Sequence, residues 1–173
     1  ESEDYIPFFV RPPQGAATAN ILFLAPTNSY IAYGDEQTLN NPGSMELHGV
    51  KPGEYPKQPQ EKYIVEHNLK SLYDRHADKT GVCYSSRRRP LVNMRPKYIM
   101  TALNHGKGAP HQFSADLHLL DWMETKGYAF DVITDEDLHA EGTDILSPYR
   151  VVVTGTHPEY WTEQMMAGLE GYL

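Results

Sequence analysis

Three short apolar runs stand out along the chain against polar and turn-forming surroundings. ILFLA (21–25) is continuously apolar and is followed at once by the turn formers of PTNSYIAYGDE, so it predicts a strand buried on both faces of a sheet. YAFDVIT (128–134) is a second strand candidate with a β-branched core, and RVVVTG (150–155) a third, also read as buried. The clearest helical pattern runs over 115–126: Ser114 is placed to cap it, Ala115, Leu119, Trp122 and Met123 share a face, and Gly127 ends it. A less regular helix is expected from Glu61 to Tyr73, a turn or short helix over DEDLHAEG (135–142), and a final helix over EQMMAGLEGYL capped by Thr162. Helices alternating with short buried strands imply a three-layer α/β domain, its mostly parallel sheet covered by helices on both faces.

Two stretches break this rhythm. NNPGSMELHGVKPGEYPKQPQ (40–60), rich in proline and glycine, reads as a long irregular excursion, and DRHADKTGVCYSSRRRP (74–90) is also loop chemistry. Residues 1–20, with adjacent prolines at 12 and 13, read as a lead-in from an upstream domain, leaving 21–173 as the folded α/β domain. The first residue is Glu1 and Leu173 falls inside a running helical pattern, as expected of a piece of a longer polypeptide truncated at its C-terminus.

Composition narrows the partners. The 173 residues carry a formal net charge of −8, which argues against nucleic acid and anionic membrane, because both are bound by clustered Lys and Arg. The one dense basic stretch, Arg87 to Arg89, is expected to be a solvated or salt-bridged turn. A lone cysteine, Cys83, excludes an internal disulfide, and no apolar run approaches the ~20 residues that cross a bilayer. A reducing, cytoplasmic location is the expectation.

Ligands of open α/β sheets bind beyond the carboxyl ends of the strands. Beyond the first strand lie Tyr30, Tyr33, Asp35 and Glu36; beyond VVVTG lie His157, Glu159 and Tyr160. His157 and Glu159, two apart in an extended segment stiffened by Pro158, are expected to point to one side. Two chemistries compete for them, against the plainer reading of an exposed loop whose aromatics pack on the next helix. GVCYS superficially resembles a nucleophile elbow that would give a Cys83, His157, Glu159 triad, but the polar DRHADKTG before it is no buried strand, and Ser85 stands where the elbow has glycine. The second is a metal site with Glu159 as carboxylate and tyrosines as phenolates, which only a hard trivalent ion such as Fe(III) would deprotonate readily. Twelve tyrosines make such a ligand possible without selecting one.

ILFLAPTNSYIAYGDE, LYDRHADKTGVCYSSRRRPLVNMRP, FSADLHLLDWMETKGYAFDVITDEDLHAEG and YRVVVTGTHPEYWT together resemble the C-terminal domain of the large subunit of the N,N-dimethylformamidase family, from about Phe8 to Leu173. The resemblance implies a glutamine-amidotransferase-like, flavodoxin-like α/β domain behind a β-sandwich. It implies hydrolysis of the C–N bond of small N-substituted formamides to formate and an amine, at a mononuclear Fe(III) held by two tyrosines and a glutamate with a histidine close by. Carried over, the glutamate falls on Glu159, the histidine on His157, the first tyrosine on Tyr33 and the second on Tyr84, with Tyr73 its rival and Tyr30 a weaker rival for the first. Tyr30 or Trp161 would line the substrate pocket. Assembly with a small subunit, as homo- or hetero-oligomer, is also implied. A non-catalytic assembly domain is the alternative from another class.

Overall fold

The computed structural model describes residues 4–37, 46, 49–51 and 58–173. Its elements in chain order are β1 (Ile21–Ala25), α1 (Thr27–Tyr33), α2 (Pro59–Glu66), α3 (Phe113–Thr125), β2 (Phe130–Thr134), α4 (Asp135–Glu141), α5 (Thr143–Leu146), β3 (Val151–Thr154) and α6 (Glu163–Tyr172). Most of the 40–60 excursion lies outside the described residues. The chain divides into two compact units. A sheet unit holds Ile6–Ser29 and Ala115–Leu173, and an inserted unit holds Tyr30–Ser114 with the first few residues.

In the sheet unit three parallel strands lie in the order β2-β1-β3, in register at Leu24 with Ile133 and with Thr154. This is the α/β architecture that the apolar runs predict. Each parallel pair needs a crossover; the inserted unit and α3 lie in the one from β1 to β2, and α4 and α5 in the one from β2 to β3. Being central, β1 is buried on both sides: Leu22 and Leu24 share one face and Phe23 takes the other. Leu22, Leu24 and Ile133 build one core with Leu138, Ile145, Leu146 and Met165, which joins that face to α4, α5 and α6. Polar side chains tie down the lead-in. Arg11 pairs with Asp137 and Glu141, one turn apart on α4, at 2.7 and 2.6 Å, and the Thr18 backbone N–H donates to Asp131 at 2.7 Å.

Four local expectations are corrected. VVV is not buried on both faces, because β3 has a single sheet neighbour among the described residues and Val151 is 48% exposed. The helix expected to reach Tyr73 stops at Glu66, where Asn68 turns left-handed at φ 51, so Tyr73 sits in a turn. On α3, Trp122 is exposed rather than part of the buried face. Ser114 lies inside α3, its hydroxyl donating back to the His111 carbonyl at 3.1 Å, rather than before it. Gly127 does end α3, at φ 76: its N–H reaches Glu124 and that of Tyr128 reaches Met123, a Schellman closure. Thr162 caps α6 by accepting the Met165 N–H at 3.2 Å.

Candidate functional site

In the sheet unit the backbone after β3 is fixed at successive points. The Gly155 N–H continues the ladder to the Leu24 carbonyl at 3.3 Å, and a side chain there would run into the Asp116 carboxylate and the Pro26 ring. Asp116, 1% exposed on α3, accepts the Thr156 N–H at 2.5 Å. Further on, the Glu159 N–H donates to the buried Ser29 hydroxyl at 3.0 Å, and the Asn28 side-chain amide donates to the Tyr160 carbonyl at 3.2 Å. Both partners lie in the first turn of α1. That turn is itself held by Asp135, which accepts the Asn28 N–H at 2.8 Å. Burial pushes the Asp135 carboxyl up to about 6, against the pull of this hydrogen bond.

The pinned backbone presents its side chains outward. His157 Nε2 and Glu159 Oε2 lie 3.0 Å apart, each side chain a little under half exposed, at 45% and 44%. Trp161 has another role: its indole N–H donates to the Pro158 carbonyl at 2.8 Å while its rings pack against the core.

In the inserted unit the second turn of α1 carries Tyr30 and Tyr33. Arg89 closes its C-terminal end, donating to the carbonyls of Ile31 at 2.7 Å and Gly34 at 2.8 Å, with Nε 3.3 Å from Asp35. This is the salt-bridged turn expected of the arginine run. Burial outweighs attraction at both partners, raising the Asp35 carboxyl and lowering the Arg89 guanidinium.

The Leu72 N–H donates to the Ala32 carbonyl at 2.9 Å, and Asp74 accepts from the Ser71 N–H and hydroxyl at 2.8 and 2.9 Å. That turn delivers Tyr73. Its ring stacks on Tyr33 with centroids 4.1 Å apart and planes 22° from parallel, while His111 meets Tyr33 edge-on at 5.4 Å. Tyr84 is 93% exposed. Tyr30 is buried, edge-on to Phe113 at 5.7 Å, and helps line a cavity of about 20 Å³ with Tyr33, Glu36, Met94, His111 and Gln112. Burial, with Asp74 adding in the same direction, pushes the Glu36 carboxyl up to about 8, so it is mostly protonated at neutral pH.

Neither His111 nor Gln112 is marked as a site residue by the sequence pattern. Their only local signal is the GAPHQFS turn before a helix, which marks a boundary and no chemistry.

Cys83 is exposed, and among the described residues its thiol reaches only the Gly81 carbonyl, at 3.4 Å. It has neither the launching strand nor the following helix of a nucleophile elbow. Among the described residues, no three His, Cys, Asp or Glu side chains gather as a metal site. A site with two phenolates and one carboxylate takes a single donor from that group. Among the same residues no helix is long and apolar enough to cross a membrane.

A family model described as "N,N-dimethylformamidase beta subunit-like, C-terminal" matches residues 1–173. Two curated relatives are each named N,N-dimethylformamidase beta subunit; the one from Paracoccus aminophilus is 44% identical and the one from Alcaligenes sp 42% identical, both over 177 aligned residues. Each alignment covers all of this chain and 22% of the relative, so the chain spans about a fifth of the length of those proteins. With the match extending over every residue, the chain belongs to the N,N-dimethylformamidase beta subunit-like C-terminal family.

Proposed function

We propose that this chain is the metal-binding domain of an iron-dependent amidohydrolase that cleaves the C–N bond of small N-substituted formamides, such as N,N-dimethylformamide, to formate and an amine. The names of the two relatives support the reaction. Within the chain, the observation that carries the reading is the stacked pair of Tyr33 and Tyr73. It favours Tyr73 over Tyr84 as the second phenolate, since Tyr84 projects into solvent. Two phenols and a carboxylate form a hard, anionic donor set suited to trivalent iron. Tyr33 and Tyr73 are the phenolates of this reading, and Glu159 is the carboxylate that the family resemblance implies.

Fe(III) bound there would supply Lewis acidity toward water and the formyl oxygen. The remaining steps fall to the chain's own groups. His157, whose Nε2 lies 3.0 Å from Glu159 Oε2, is the candidate general acid, because an amine must be protonated to leave. The Ser29 and Asp116 contacts hold the backbone that carries this pair, so little reorganisation is needed when charge develops. Tyr30, buried in the cavity wall, is a better candidate than Trp161 to meet N-methyl groups, since Trp161 is engaged in core packing. A cytoplasmic location and assembly with a small subunit are part of the same reading; the words "beta subunit" in both relatives' names support the second.

The test is elemental analysis and visible spectroscopy of the purified full-length polypeptide, alongside formate release. Iron with a phenolate charge-transfer band that is lost in Tyr33→Phe is expected; a colourless, iron-free but active protein would sink the mechanism. A second reading, a non-catalytic assembly domain, draws on Ile6, Phe8 and Val10, which alternate as exposed apolar side chains. Absence of both metal and amidase activity in the full-length protein would favour it.

A further inference from the structure

Gln112 occupies an unusual position in the inserted unit. It is only 8% exposed, its backbone is left-handed at φ 53, and it lies in the wall of the cavity that Tyr30 and Tyr33 also line. One end of its side-chain amide is 3.5 Å from His111 Nε2; the other, Oε1, is buried with no partner among the described residues. Buried polar atoms are nearly always paired, and strained backbone together with an orphaned polar atom gathers at ligand sites. No such orphan is needed to fold this turn. The Ser114 hydroxyl already satisfies the neighbouring backbone at His111.

A carboxamide can present either end to a ligand, because a half-turn exchanges its oxygen and nitrogen. With nitrogen toward the cavity, the oxygen would accept from His111 Nε2–H and the N–H would be free to donate to a carbonyl. The cavity of about 20 Å³ has room for little more than one water, so it suits a formyl or N-methyl end rather than a larger acyl group. Met94, Met100 and Phe113 supply its apolar wall.

We propose that Gln112 is a substrate-positioning residue, its side-chain amide binding the carbonyl of a small N-substituted formamide in the Tyr30 and Tyr33 cavity. This rests on the amidohydrolase reading and adds to it the group that holds the substrate's polar end.

The experiment compares the full-length wild-type polypeptide, with any subunit that co-purifies, against Gln112→Leu. Steady-state kinetics with N,N-dimethylformamide, equilibrium binding of the same compound, iron content and the thermal midpoint are measured on both. In Gln112→Leu, KM and Kd are expected to rise about tenfold, more than any fall in kcat, as for the loss of one hydrogen bond made in the ground state. Iron content should be retained, and the midpoint unchanged or higher, because a buried unpaired atom has gone. Unchanged KM and Kd in the folded variant would overturn the proposal. A lowered midpoint would overturn it too, by assigning Gln112 a structural role. A wild-type protein that turns over no formamide would defeat the amidohydrolase reading instead, and the binding comparison would still decide Gln112.

Discussion

Gly155 and Tyr73 have their roles set by what lies against them. A methyl group at Gly155 would enter the space of the Asp116 carboxylate and Pro26, so Gly155→Ala is expected to destabilise the protein by about 2 kcal/mol, the cost of overpacking a tight contact. Chemical denaturation measures this, and a loss below about 0.5 kcal/mol would mean that the contact relaxes freely. The two tyrosine rivals separate as sharply. Tyr73→Phe should weaken the iron band and lower iron content, whereas Tyr84→Phe, on a ring 93% exposed, should change neither. The reverse pattern, read in one visible spectrum per variant, would return the ligand to Tyr84. Sequence spacing could not separate these tyrosines, because the Leu72 to Ala32 hydrogen bond that brings Tyr73 to Tyr33 joins residues forty positions apart. His157 and Glu159, by contrast, were legible as a pair, since their meeting needs only the alternation of an extended chain.

Among the elements, the helix ends carry separable contributions. Thr134 accepts the Asp137 N–H while Asp137 reaches back to the Thr134 N–H, a reciprocal cap that starts α4 directly from β2. Thr134→Ala and Thr162→Ala are each expected to cost about 1 kcal/mol, measured by urea midpoints. Asp135, beside the first cap, makes α4 and α1 sensitive to pH. Its folded value of about 6 lies above the ordinary 3.8, so the folded state holds its proton longer than the unfolded state does. Its contribution to stability is therefore full below about 4, declines as pH rises through 6, and stays lost above that. Asp135→Asn keeps an acceptor for the Asn28 N–H. It should leave stability unchanged near pH 4 and raise it at pH 7 by up to about 3 kcal/mol. A gain that did not grow between pH 4 and 6 would show that Asp135 is not the group responsible.

For the molecule as a whole, the two units draw on different physics. The sheet unit rests on a compact apolar core, with Asp131 and Asp137 held below the usual carboxylate range despite burial by hydrogen bonds from Thr18 and Thr134; Tyr149 adds to the first and Arg11 to the second. Those two carboxylates stabilise the fold above pH 4 and release that stability as pH falls. The inserted unit joins a small apolar cluster of Val50, Tyr98, Met100 and Ala102 to buried polar clasps around Arg89, Asp74 and Glu61, and it carries Glu36 raised to about 8. Glu36 favours folding at low pH and loses that effect as pH climbs from about 4.5 to 8. Glu36→Gln is thus expected to gain stability relative to wild type across that interval, with hydrogen exchange in 30–114 showing the gain. An equal gain at pH 4 and pH 8 would exclude titration as its source.

The apolar runs, the Thr162 cap and the glycine stop of α3 could be read directly, because each depends on a few residues close in the chain and on the period of a strand or helix. Three strands and a parallel sheet followed from that local order. Other features depended on tertiary structure: which strand lies at the edge, which tyrosine meets Tyr33, which acids keep their protons and which buried amide oxygen lacks a partner among the described residues. All of these are consequences of burial and of contacts between residues far apart in sequence, and only the folded chain sets what surrounds a side chain.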